Sequence, residues 1–209
     1  MKILLLGLSL TLMLILSGCA TTISLKPSVR QQIHSVSISK IVTPAKNMYM
    51  DAPGADVGAA FGIVGEIARE SIDGVAISDY QRAAKKYHIH LKTIVRNEFI
   101  QAFKQQHPFQ LKNKNADAEL FLYIKQYGYE VGGISGTFSG SVRPVLKVQA
   151  LMVRDKKIVW QQDVSTGAAI SDMPTKDMHA IFSNKKLINQ LWSVAAREVS
   201  QQLVAKLDE

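Results

Sequence analysis

Apolar positions fall into three kinds of pattern along the chain. The first is a continuous run, Ile3 to Leu16, behind Met1-Lys2. It spans 14 residues, short of the ~20 that a membrane-spanning helix needs. A charged start and a short apolar core are the form of a secretory signal. The second pattern alternates. Val36–Thr43 predicts a strand with Val36, Ile38 and Val42 on one face; Lys40 interrupts that face and suggests a sheet edge. Ala118–Val131 predicts a long strand, with Leu120, Leu122 and Ile124 against Phe121, Tyr123, Tyr127 and Tyr129. A tyrosine-lined face is amphipathic and suits a helix, an interface or a membrane boundary. Val142–Val153 and Ile158–Val164 predict two more strands, the latter with Ile158, Trp160 and Val164 facing one way. The third pattern has helical spacing. Asp79–Gln106, strongest from Lys85, carries Leu91, Ile94, Val95, Ala102 and Phe103 on one side. Lys185–Leu207 carries Ile188, Leu191, Trp192, Ala195, Val199 and Leu203.

Punctuation between these elements sets the connections. Pro44 ends the first strand, and His107-Pro108 stops the first helix. Asn113–Asp117 reads as a turn, Arg154–Lys157 as a tight polar turn, and Ser165–Asn184 as a loop. Gly128, Gly132, Gly133, Gly136 and Gly140 predict a hairpin with a long mobile tip over Gly132–Ser141. The order is strand, insert, helix, three antiparallel strands, helix. It predicts an α+β fold: a largely antiparallel sheet with two main helices on one face, plus a glycine-rich helical or loop insert over residues 54–78.

Gly54, Gly58 and Gly62 recur every four residues in that insert, with Gly65 following. On a helix they form a smooth stripe where another backbone approaches closely. Glycine costs about 1 kcal/mol per helical position relative to alanine, so the stripe needs a compensating contact. It serves either as a subunit or bilayer contact, or as a flexible loop or a helix packed on its own domain.

Leu16-Ser17-Gly18-Cys19, directly after the apolar run, resembles a bacterial lipobox, and Cys19 is the only cysteine in the chain. The resemblance implies removal of residues 1–18 and acylation of Cys19; the polar stretch Thr21–Ser35, which carries Pro27, reads as the tether of a lipid anchor over residues 19–35, and the remaining length suits one domain at 36–207. It further implies three acyl chains, palmitate among them; several chains hold a protein firmly where one is marginal. Ala20 stands where an aspartate would mark inner-membrane retention, so the resemblance implies an outer-membrane, periplasm-facing protein.

The charge is +8 for the full chain, and 24 basic against 17 acidic residues leave +7 once Lys2 is removed. That balance suits an anionic partner such as lipid headgroups or a cell-wall polymer, or else a solvated basic surface. With one cysteine, no disulfide forms within the chain. No run of basic residues with interleaved aromatics points to nucleic acid.

Ala116-Asp117-Ala118-Glu119-Leu120-Phe121-Leu122, the Asp155 turn before Ile158-Val159-Trp160, and the closing amphipathic helix resemble periplasmic lipoproteins with a domain like the N-terminal domain of TolB. The curli-secretion lipoprotein and the lipoprotein activators of penicillin-binding proteins belong to that group. Asp155 is followed by Lys156 and Lys157, a departure from the group's Asp-x-x-Thr-Gly turn. The resemblance implies non-enzymatic work: binding or scaffolding an envelope protein or cell-wall partner. Its alternative is a homo-oligomeric outer-membrane export channel, with Tyr127–Arg143 as a pore hairpin. No catalytic residue, cofactor or metal site is expected. His88 and His90 stand about 200° apart on a helix at ~100° per residue. Ser135 and Ser139 lack the spacing of a nucleophile elbow. Asp172 and Asp177 read as solvated loop residues.

Overall fold

The computed structural model describes residues 22–45, 48–51, 81–132, 141–166 and 176–209. Helix α1 (Pro27–Arg30) leads into β1 (Ser35–Thr43) and the short β2 (Tyr49–Asp51). A helical segment over residues 81–87 precedes α2 (Leu91–Gln106). Then come β3 (Gln110–Leu111), β4 (Ala118–Gly132), β5 (Ser141–Arg154), β6 (Lys157–Ser165) and β7 (Lys176–Asp177). Helices α3 (Met178–Ser183) and α4 (Lys185–Ala205) close the chain.

The sheet runs β3-β1-β4-β5-β6, with β2 also on β4 and β7 also on β5. Its β4-β5-β6 meander is antiparallel, whereas β1 runs parallel to β3 and β4, and β2 parallel to β4. The sheet is therefore mixed. Parallel neighbours need a crossover, and α2 lies on the path from β1 to β4. Both main helices pack on one face, as the two periodicities require.

That face is the core. Helix α2 buries Val95, Phe99, Ala102 and Phe103. Helix α4 buries Ile188, Leu191, Trp192, Ala195, Val199 and Leu203, together with Ala196, Ser200 and Val204. Asn184 caps α4, its side-chain oxygen accepting from the Leu187 N–H at 3.2 Å. Opposite the helices stand Leu120, Leu122, Ile124, Val148, Ala150, Met152 and Trp160, all buried. Each buried Val, Leu, Ile or Met side chain among them contributes ~1.5–3 kcal/mol of transfer free energy.

Strand irregularities correct the expected faces. Ile124 pairs with Val148 and Gln126 with Lys147, so Lys125 is an extra residue. One inserted residue reverses every later side chain. Tyr127 and Tyr129 therefore turn to the core side, away from Phe121 and Tyr123. The Tyr129 ring lies 5.3 Å from that of Trp192 and 5.7 Å from that of Phe182. A shift between Met152 and Val153 makes Val159 the extra residue of β6. Ile158 then pairs with Val153 and is 46% exposed, instead of following Trp160 inward.

Beyond Val36, β1 has no neighbour on its outer side among the described residues, as Lys40 suggested. Four steps of β1 there span two steps of β4, between Ile38 and Val42. Arg96 of α2 donates from Nε to the Ser39 carbonyl at 3.0 Å. The bulge and this guanidinium together protect the edge from further pairing.

The expected single helix Asp79–Gln106 is broken. His88 has φ 55°. The His88 N–H donates to Lys85 O at 3.3 Å, and the Ile89 N–H to Ala84 O at 2.9 Å. These two bonds are a Schellman cap with histidine where glycine usually stands. A left-handed conformation costs a residue with a Cβ about 1–2 kcal/mol. His88→Gly is therefore expected to stabilise the protein by about 0.5–1 kcal/mol after glycine's own entropy cost. A higher urea midpoint at unchanged slope checks this; a lower midpoint contradicts it.

Candidate functional site: the N-terminal segment and its seat on the sheet

The stretch read as a tether is anchored where it is described: among residues 22–35, Leu25, Ile33 and Ser35 are buried while most of the polar residues between them are exposed. The Ile23 N–H donates to Gln161 O, and the Gln161 N–H to Ile23 O, each at 2.9 Å. This antiparallel bridge adds one residue pair to the outer edge of β6. Leu25 and Ile33 are buried in the core, and Pro27 opens α1. The physical reason is the apolar side chains of Leu25 and Ile33, which anchor an otherwise polar stretch in the core. Those two residues were the signal available in the sequence.

Charged and aromatic contacts fasten the same segment to the C-terminus. Arg30 donates from Nη1 to Leu207 O at 2.9 Å and pairs through Nη2 with Asp208. Its guanidinium also lies over the Phe109 ring, 5.9 Å from the centroid. The Trp160 Nε1–H donates to Lys206 O at 3.1 Å. Both chain ends thus meet beside β6 and the end of α2. The expected functional positions Leu16, Ser17, Gly18, Cys19, Gly54, Gly58 and Gly62 lie outside the described residues, as do Ser135, Ser139, Asp172 and the hairpin tip.

The titratable residues serve as fasteners. Asp117 Oδ2 accepts from the His34 N–H at 2.9 Å, the Ser35 N–H at 2.8 Å and the Ser35 Oγ–H at 3.0 Å. This set joins the start of β1 to the start of β4. Ser35 is buried and His34 contributes only its backbone N–H to the set, so it is no nucleophile-base pair. The three hydrogen bonds hold the Asp117 carboxyl below the usual carboxylate range. His107 stacks on Phe103 at 5.3 Å and sits 4.2 Å from the Phe109 ring. Its Nδ1 accepts from the Phe109 N–H at 3.3 Å, and its Nε2 lies 3.5 Å from Asp208 Oδ1. Burial pushes its pKa down; Asp208 opposes that and Arg30 adds to it. His88 is the helix break and His90 the residue before α2. No cluster of three metal-ligating side chains occurs among the described residues.

Two further surfaces stand out. An open groove of about 490 Å³ is lined by Lys40, Ile41, Lys92, Thr93, Arg96 and Asn97. Arg96 is already engaged there by the β1 carbonyls. The other surface is the helix-free face of the sheet. Phe121 pairs with Leu151, Leu151 with Gln161, and Gln161 with Ile23, so these four side chains form a row across the strands. Tyr123, Val153 and Ile158 flank it.

No protein-family model and no curated protein matches the chain. Solved structures resemble it weakly. The PelC dodecamer from Paraburkholderia phytofirmans is 12% identical over 90% of this chain and 94% of that one, with a TM-score of 0.39. A minor lipoprotein from Acinetobacter baumannii is 7% identical over 84% and 93%, with a TM-score of 0.37. Protein XCC0632 from Xanthomonas campestris is 11% identical with a TM-score of 0.38; the match covers 55% of this chain and 62% of that one. Likenesses at this level carry no argument about function, which rests on the chain's own residues.

Both pKa shifts predict acid sensitivity. A depressed folded pKa gives stability that is complete above the unfolded pKa and is lost as pH falls. For His107 the loss begins below about pH 6.5, and for Asp117 below about pH 4. His107→Phe is expected to flatten the stability curve below pH 6.5. Asp117→Asn is expected to lower stability at neutral pH and to weaken its decline in acid. Urea midpoints across pH 3–8 check both; curves parallel to the parent's contradict them.

Proposed function

We propose that this protein is an acylated lipoprotein of the bacterial outer membrane, facing the periplasm, that binds or scaffolds an envelope partner without catalysing a reaction. The observation that carries the reading is the junction at Cys19. A signal-like apolar run and lipobox-like residues lead to the sole cysteine, and Ile23, four residues later, is already hydrogen-bonded into the sheet. Cleavage before Cys19 would leave an anchor joined almost directly to a folded domain.

The non-enzymatic part of the reading draws support from what the ionisable groups do. Asp117, His107, Arg30 and Asp208 are spent on joining chain segments. The formal charge of the mature chain favours an anionic partner: headgroups, a cell-wall polymer or an acidic protein surface. Homo-oligomerisation stays within this proposal as one form of scaffolding.

Cys19→Ser is the direct variant. Cells fed labelled palmitate are expected to label the parent and not the variant, and the variant should retain its signal or leave the membrane fraction. Equal labelling, or an unlabelled parent that behaves like the variant, overturns the acylation reading.

A further inference from the structure

We propose that the helix-free face of the sheet, bearing Ile23, Phe121, Tyr123, Leu151, Val153 and Ile158, lies against the surface of the bilayer that holds the anchor. The proposal rests on acylation at Cys19 and deepens it: it names the surface that meets the membrane.

Reach is the first argument. Three residues, and so four Cα–Cα steps, separate Cys19 from Ile23. Even fully extended they span about 14 Å. Ile23 is bonded to the outer side of β6, so the lipid holds that sheet edge within this distance of the headgroups. Adjacent strands lie ~4.8 Å apart. Leu151 is thus about 10 Å from Ile23 across the sheet, and Phe121 about 14 Å.

The second argument is which face meets that edge. One side of the sheet is covered by α2 and α4. The other has no helix on it among the described residues. Cross-strand pairing puts Ile23 in one row with Gln161, Leu151 and Phe121. The β6 bulge adds Ile158, which is 46% exposed, beside Val153. Ile158 is the exposed member; Ile23, Phe121, Tyr123, Leu151 and Val153 are half-buried, and an apolar row with no helix over it among the described residues suits a contact surface. Phenylalanine and tyrosine suit the headgroup boundary, where one side of the ring is apolar and the other wet.

Charge is compatible with the same occupant. Within this face Asp163 is neutralised by Lys147 at 3.7 Å and accepts from Gln149 at 2.8 Å. Glu119 is exposed at the rim, beside Val153. No uncompensated carboxylate stands at the centre of the row. A soluble partner or a second copy of the chain would also cover an apolar row, but neither explains why the anchor enters at its end.

The chain's one cysteine is consumed by the anchor, so an introduced cysteine is the only free thiol. Full-length acylated Gln149→Cys, Tyr123→Cys and, as a control, Lys104→Cys would each carry an environment-sensitive fluorophore. Lys104 is exposed near the end of α2. The proteins are reconstituted into vesicles of phosphatidylethanolamine and phosphatidylglycerol with nitroxide-bearing headgroups. The expected result is loss of most of the emission at 123 and 149, with emission at 104 unchanged. Equal quenching at all three sites, or quenching at 104 alone, overturns the proposal. Energy transfer between labels at 149 on different molecules, without nitroxide quenching, assigns the face to a second copy and also overturns it. Palmitate labelling of the same preparations reports separately on acylation, so a failed anchor and a wrongly assigned face give different results.

Discussion

Burial of the α4 stripe against β5 and β6 is the interaction on which the rest depends. Trp192, Leu191, Ile188 and Leu203 are buried against strands whose inward side chains include Met152 and Trp160. A sheet with one apolar side must cover it, and α4 with α2 does so completely on that side. Because α4 ends beside β6, its last residues are in place to receive the N-terminal segment. Arg30 reaches Leu207 O and Asp208, while Trp160 reaches Lys206 O. The docking of the N-terminus is thus a consequence of where the closing helix stops.

Covering one side leaves the other without a helix among the described residues. The chain does not spend a third layer on the sheet among its described residues, and its bulges sort residues between the two sides. The extra Lys125 sends Tyr127 and Tyr129 inward and leaves Phe121 and Tyr123 outside. The extra Val159 sends Ile158 outward. The edge at β1 is handled differently, by the bulge and by Arg96 on its carbonyls. One edge is thus protected against pairing, while the opposite edge accepts the segment that leads from the proposed anchor.

Element order was largely legible in the sequence, because alternation and helical spacing report burial directly. Ser35–Thr43, Ala118–Gly132, Ser141–Arg154 and Lys185–Ala205 fall within a few residues of their expected bounds. What was not legible came from local geometry without its usual residue. The helix break at His88 uses a left-handed histidine where glycine would have announced it. The bulges at Lys125 and Val159 have no glycine either, and each inverts a face that simple alternation assigns otherwise. In the N-terminal stretch a polar composition hides two apolar residues, Leu25 and Ile33, that reach the core. Of the candidate site, the lipobox-like residues lie outside the described residues and rest on resemblance alone. Their seat at the sheet edge needed the Ile23–Gln161 pairing, which no local pattern encodes.

Amide exchange of the acylated protein in vesicles, read at Ile23 and Gln161, tests the central claim most directly. Both amides are expected to be protected, because each donates a 2.9 Å bond across the β6 edge shortly after the proposed anchor. Exchange of both at the rate of an unstructured chain would contradict it. The lipid would then end in a free tether, and the domain would have no enforced orientation at the membrane.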